Sequence, residues 1–217
     1  MEQIPQVLKS QTNWDKLHCY QKSDVLYQLT FTFCKRFLPL YGDRTVDQMV
    51  QAARSGKQNI VEGSADGASS TEMELKLLNV ARASIRELLE DYRDYLLSRK
   101  LTLWERGHER FQPMINFCKV HNELKDYQPY FEKWTAEEMA NIGLTLCHMT
   151  DAMLHTHLKN RESQFVQEGG LKERMHAART GYRKNQDERL AWLERENARL
   201  LALLRKHGID PNEGVQR

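Results

Sequence analysis

From about Ser70 to Arg99 the chain runs without Pro or Gly, and within it Leu78, Ala81, Ile85, Leu88, Tyr92 and Tyr95 recur at alternating steps of three and four. That spacing places all six on one stripe of an α-helix and on no coherent face of a strand. A helix of this length spans roughly 45 Å, so whatever packs on the stripe must also be long. Its start is marked by Ser69 with Glu72 in the capping-box spacing, or by Thr71 with Glu74 in the alternative register. Upstream, Val46, Met49, Val50, Ala53 and Ile60 describe a second amphipathic helix, expected to end where Gly63 takes a left-handed cap conformation. The two form a helical hairpin joined by a small, polar turn over residues 62–70.

The rest of the chain extends this pattern into an all-α fold: an antiparallel four-helix bundle with helices near 24–38, 44–62, 70–99 and 136–168. Residues 1–14 read as an N-terminal arm whose Ile4, Val7, Leu8 and Trp14 can dock on the bundle, which itself spans 15–168. In the first helix Leu26, Leu29, Phe33 and Phe37 share one face and Val25, Phe31, Cys34 and Leu38 flank it. So wide an apolar arc calls for cover from another subunit or from the 100–134 segment. Pro39 and Gly42 stop this helix and Asp43 is placed to cap the next. Residues 101–134 contain Gly107, Pro113 and Pro129, and read as an ordered, partly helical crossover anchored by Trp104, Tyr127, Tyr130, Phe131 and Trp134. Thr135 and Glu138 form a second capping box, opening a helix with Met139, Ile142, Leu146, Met149 and Met153 on its apolar stripe.

After Gly169-Gly170 the texture changes, and residues 169–217 form a C-terminal suffix. Between Leu171 and His207 the basic residues are Lys172, Arg174, Arg179, Arg183, Lys184, Arg189, Arg195, Arg199, Arg205 and Lys206, against Glu173, Asp187, Glu188, Glu194 and Glu196. The whole chain carries a net charge of only +2, so this basic character is local. Within the suffix, Leu190, Leu193, Asn197, Leu200 and Leu204 keep a 3-4-3-4 spacing, a short coiled-coil-like seam with one Asn at an a-type position. The alternative is a solvent-facing amphipathic end.

Cys19, Cys34, Cys118 and Cys147 lie far apart with no paired spacing and read as reduced, small core hydrophobes. The N-terminus lacks a basic stretch followed by an apolar run, and no segment is apolar over eighteen residues. A cytoplasmic protein with no membrane partner is expected.

Little in the chain points to catalysis. No glycine-rich phosphate loop, nucleophile elbow or Cys/His dyad occurs, and helix-end electrostatics account for Glu72 and Glu74. His148, Asp151 and His155 share a helix face in a spacing able to ligate a metal, but no second helix offers the Glu-x-x-His partner of a di-iron bundle. We therefore expect no enzyme, cofactor or metal, with a metal-binding bundle as the most distant alternative. For nucleic acid, Arg54, Lys57 and Arg82 on the central helices and Arg179, Arg183, Lys184, Arg195 and Arg199 on the suffix are the candidate phosphate contacts. The competing possibility is that acids such as Glu87, Glu90 and Asp91 neutralise the central cations on a solvated face.

The segments Ala52–Gly63, Ser70–Glu72 and Leu78–Ser84 resemble the four helix bundle protein family, which includes ribosomal-RNA intervening-sequence proteins and the accessory variability determinant of diversity-generating retroelements. Gln167–Arg174 resembles the suffix of that family's longer members, the four helix bundle suffix proteins, and the likeness spans about Asp15 to Arg183. The resemblance implies a homopentameric barrel of bundles and, in the retroelement branch, binding to a reverse transcriptase and to RNA or DNA. The function expected is thus a non-enzymatic oligomeric accessory protein. A structural or protein-interaction scaffold with no nucleic-acid role is the alternative, favoured by the near-neutral charge.

Overall fold

The computed structural model describes residues 7–8, 13–39, 44–67 and 69–208. All regular structure among them is helical. After a 3-10 turn at Trp14–Lys16 come α1 (His18–Phe37), α2 (Arg44–Asp66), α3 (Thr71–Ser98), α4 (Phe111–Val120), α5 (Leu124–Tyr127), α6 (Ala136–Glu168) and α7 (Leu171–Lys206). One unit comprises Leu8–Gly170, and α7 belongs to another.

Four long helices of the first unit pack side by side in a closed cycle, α1 on α2, α2 on α3, α3 on α6 and α6 back on α1. The stripe from Leu78 to Tyr95 on α3 is wholly buried at the centre. Small residues let α2 come close. A Cβ on Gly56 would fall 2.6 Å from Ile85 Cδ1, and one on Gly63 would lie 3.2 Å from Leu77 Cβ. Gly63 therefore sits inside α2, which runs on to Asp66, and does not end it; close packing against α3, not a left-handed cap, is what the position requires. The α3 cap also differs from both sequence registers. Ser70 is the N-cap and accepts from the Met73 amide, while Ser69 Oγ donates to the Asp66 carbonyl. The Thr135–Glu138 capping box of α6 is formed as expected, and Gly169 ends α6 with φ of 71°.

One further boundary and one stripe are corrected. α1 begins at His18, six residues before the expected start, because Cys19, Lys22 and Ser23 are already buried. On α6 the buried face passes from Leu146 to Thr150, Leu154 and Leu158, with Met149 and Met153 on its flank. A 3.6-residue turn drifts away from a strict heptad over a helix of this length. Asp43 and Ile4 lie outside the described residues, Leu8 is exposed, and Trp14 packs edge-on against Tyr20.

The wide apolar arc of α1 is covered in part by the crossover. Trp104, Tyr127 and Phe131 are buried there, Trp134 is half-buried and Tyr130 exposed. Two cations of α1 hold the crossover through its backbone: Lys22 donates to the Cys118 and His121 carbonyls at the end of α4, and Arg36 donates to the Phe131 and Trp134 carbonyls. Carbonyls at a helix C-terminus lack intrahelical donors, so the ammonium satisfies groups that burial would otherwise leave unpaired. Burial nonetheless holds the Lys22 ammonium below its ordinary pKa. All four cysteines are buried, and burial raises the Cys19 and Cys118 thiols to about 11.

Candidate nucleic-acid interface

None of the 36 residues of α7 is buried. The suffix cations Arg179, Arg183, Lys184, Arg195 and Arg199 are all exposed. Lys184 lies 3.9 Å from Glu188 and Arg199 3.5 Å from Glu196, both loose same-helix pairs on side chains largely in solvent. Such pairs contribute about 0–1 kcal/mol and give way readily to a phosphate. Arg195 Nε donates to the Ala191 carbonyl at 3.0 Å, which leaves the rest of its guanidinium outward. Leu190, Leu193 and Leu200 on the seam are 57%, 48% and 51% exposed, Asn197 is exposed and Leu204 half-buried. Trp192 is exposed as well. It falls off the leucine stripe and so carries no periodic signal in the sequence, yet an indole among arginines offers a platform on which bases can stack.

The central cations are deployed differently. Lys57 pairs with Asp24 of α1 at 2.6 Å and stands over the Tyr27 ring at 5.4 Å. Arg82 reaches across to α6, where its Nε lies 2.8 Å from Asp151 Oδ1, and Arg86 Nε reaches the same oxygen at 3.0 Å. Burial pushes the Asp151 carboxyl up, but the hydrogen bonds and positive charge of the two arginines outweigh it and hold the group below the usual carboxylate range. For Lys57, Arg82 and Arg86 neutralisation thus runs between helices, whereas Arg93 pairs along α3 with Glu90 at 3.7 Å. On the His148, Asp151, His155 face, Asp151 is committed to the two arginines and both histidines are exposed. Among the described residues no group of three His, Cys, Asp or Glu side chains is gathered for a metal ion.

Arg54 is exposed and lines an open groove of about 730 Å³ with Arg44, Tyr27, Gln51 and Ser55, although Asp47 and Glu87 share it. Lys57 is thus turned to α1 and Arg82 to α6, while Arg54 lies in a groove lined by α1, α2 and α3.

No family model, curated protein or solved structure matches the chain.

The site thus rests on its own geometry: one exposed basic helix with an apolar edge, and a bundle in which Lys57, Arg82 and Arg86 are engaged by acids. Among the described residues no helix is long and apolar enough to cross a membrane.

Proposed function

We propose that the protein is a non-enzymatic accessory factor whose basic C-terminal helix contacts nucleic acid, working beside a nucleic-acid enzyme such as a reverse transcriptase. The observation that carries this reading is α7, a 36-residue helix with no buried side chain and a basic surface. Arg179, Arg183, Lys184, Arg195 and Arg199 supply phosphate contacts, and Arg54 extends them on the bundle. Lys57 and Arg82 contribute by exchanging Asp24 and Asp151 for phosphate, a costlier step.

In this reading the closed cycle of α1, α2, α3 and α6 is an antiparallel four-helix bundle that assembles into a cytoplasmic homo-oligomer, a pentamer by family resemblance. The Leu190–Leu204 seam with Asn197 gives α7 a surface for self-association. Repetition around such an assembly multiplies a modest patch into a ring of positive charge.

A second reading, a scaffold with no nucleic-acid role, is favoured by the pairing of Lys57, Arg82 and Arg86 with acids inside one chain. Binding of labelled RNA and single-stranded DNA across a salt series separates the two. The accessory-factor reading requires affinity that falls steeply with salt and a slope that shrinks when Arg179, Arg183, Arg195 and Arg199 become alanine. Absence of binding at low salt leaves the scaffold, and light scattering on the same samples tests the oligomer.

A further inference from the structure

At the end of the first unit where α2 turns into α3, polar atoms are buried without partners. Glu74 is wholly buried; one of its carboxylate oxygens, Oε2, accepts from Arg161 of α6, while Oε1 has no hydrogen-bond partner. On the same face of α3, one turn earlier, Thr71 Oγ1 is buried and unpartnered. Ser64 Oγ on α2 is in the same state, as are His157 Nε2 and Arg161 Nε on α6.

Three of these side chains, Glu74, His157 and Arg161, interact directly. Arg161 touches Glu74, and His157 feels the charges of both. Ser64 follows Gly63, where an added Cβ would lie 3.3 Å from the Glu74 carbonyl. A Cβ on Gly67 would fall 2.5 Å from Glu74 Oε2, so the backbone of this turn is shaped around the carboxylate. Buried polar groups are hydrogen-bonded in more than about nine cases in ten, and five exceptions on the helices that meet at this end of the unit call for a further partner. The Glu74–Arg161 pair is already balanced in charge, which argues against an ion. What remains unmet is mixed: an acceptor at Glu74 Oε1, a donor at Arg161 Nε, and two hydroxyls and an imidazole nitrogen that can serve either way.

We propose that this junction is a built internal site for a small neutral molecule that both donates and accepts hydrogen bonds, water being the smallest of the class, bridging Ser64, Thr71 and Glu74 to His157 and Arg161. Such a molecule ties the hairpin to α6 by contacts the side chains do not make with one another.

A crystal structure of the full chain at high resolution, with thermal unfolding of Thr71→Val, Ser64→Ala and the double variant, tests it. The expected density lies within hydrogen-bond distance of Glu74 Oε1 and of a hydroxyl. Its size tells water from a larger neutral solute, and loss of a larger species on unfolding, dialysis and refolding identifies it as acquired. Each single variant should lower Tm by about 2–4 °C, and the double variant by clearly less than the sum, because the first substitution already removes the bridge. A dry junction closed by direct hydrogen bonds, or an ion in the density, overturns the proposal. So does a Tm that rises in Thr71→Val with additive effects, the result expected if the hydroxyls were merely unsatisfied.

Discussion

The Tyr92 hydroxyl lies 2.8 Å from Thr30 Oγ1, with both side chains wholly withdrawn from solvent between α3 and α1. Thr30 Oγ1 also lies 2.7 Å from the Leu26 carbonyl, to which it donates, so the Tyr92 hydroxyl must be the donor to Thr30. The two partners are therefore not equivalent. Tyr92→Phe leaves Thr30 with its Leu26 bond and should cost about 1 kcal/mol, whereas Thr30→Val strands a buried phenol and should cost about 1–3 kcal/mol. Urea unfolding measures both. A larger loss for Tyr92→Phe would refute this assignment of the proton.

Tyr92 also sets the limit on α6. A Cβ on Gly143 would stand 2.5 Å from Tyr92 Cζ and within 2.9 Å of two further ring atoms, in a core with nowhere for the ring to go. Gly143→Ala should destabilise by about 1–3 kcal/mol through overpacking. Gly181 of α7 meets nothing within 4 Å, and Gly181→Ala should raise helicity and stabilise α7 by about 0.5–1 kcal/mol. Circular dichroism melts of the two variants should move in opposite directions.

Stability should fall in two steps on acidification. Burial, aided by Arg161 and opposed by Glu74, holds the His157 imidazole below its ordinary 6.5, so the unfolded chain binds more protons from pH 6.5 down to that lowered value and stability declines there. The Asp151 carboxyl is held below 3.8, so its contribution is present above that pH and is lost as pH falls through the lowered value. His157→Gln should flatten the upper step alone and Asp151→Asn the lower alone, as read from unfolding free energies between pH 8 and pH 2.5. An unchanged upper step in His157→Gln would assign it to another group.

Lys22 should govern the order of the crossover. Replacing it by Met keeps the bulk of the side chain but strips the Cys118 and His121 carbonyls of their donor, at a cost of about 1–3 kcal/mol. Amide hydrogen exchange should accelerate across α4 and α5 and change little in α2 and α3. Uniform acceleration would show that the clamp serves the whole unit equally.

Apolar periodicity made the fold class legible: every residue of the Leu78–Tyr95 stripe is buried, and the Thr135–Glu138 cap is formed. Position-specific chemistry was harder to read. Lys22, Glu74 and Arg161 look like surface residues in a sequence, because only tertiary neighbours show that their charges are met indoors. Gly63 reads as a helix stop because a close approach between helices leaves no local signal. Of the candidate interface, the basic suffix and its leucine stripe were visible as pattern, whereas the commitment of Arg82 to Asp151 depends on two residues 69 positions apart.

The α1 clamps on the crossover also set an order of events for a chain leaving a ribosome. Arg36 waits 95 to 103 residues for its partners Phe131, Trp134 and Met139, whereas α2 and α3 can pair as soon as both have emerged. Until then Leu26, Leu29 and Phe33 lack α6 and the crossover as cover. Translation speed through residues 100–160 thus sets how long a nascent chain carries an adhesive helix, and slow codons there would fall on its most aggregation-exposed stage.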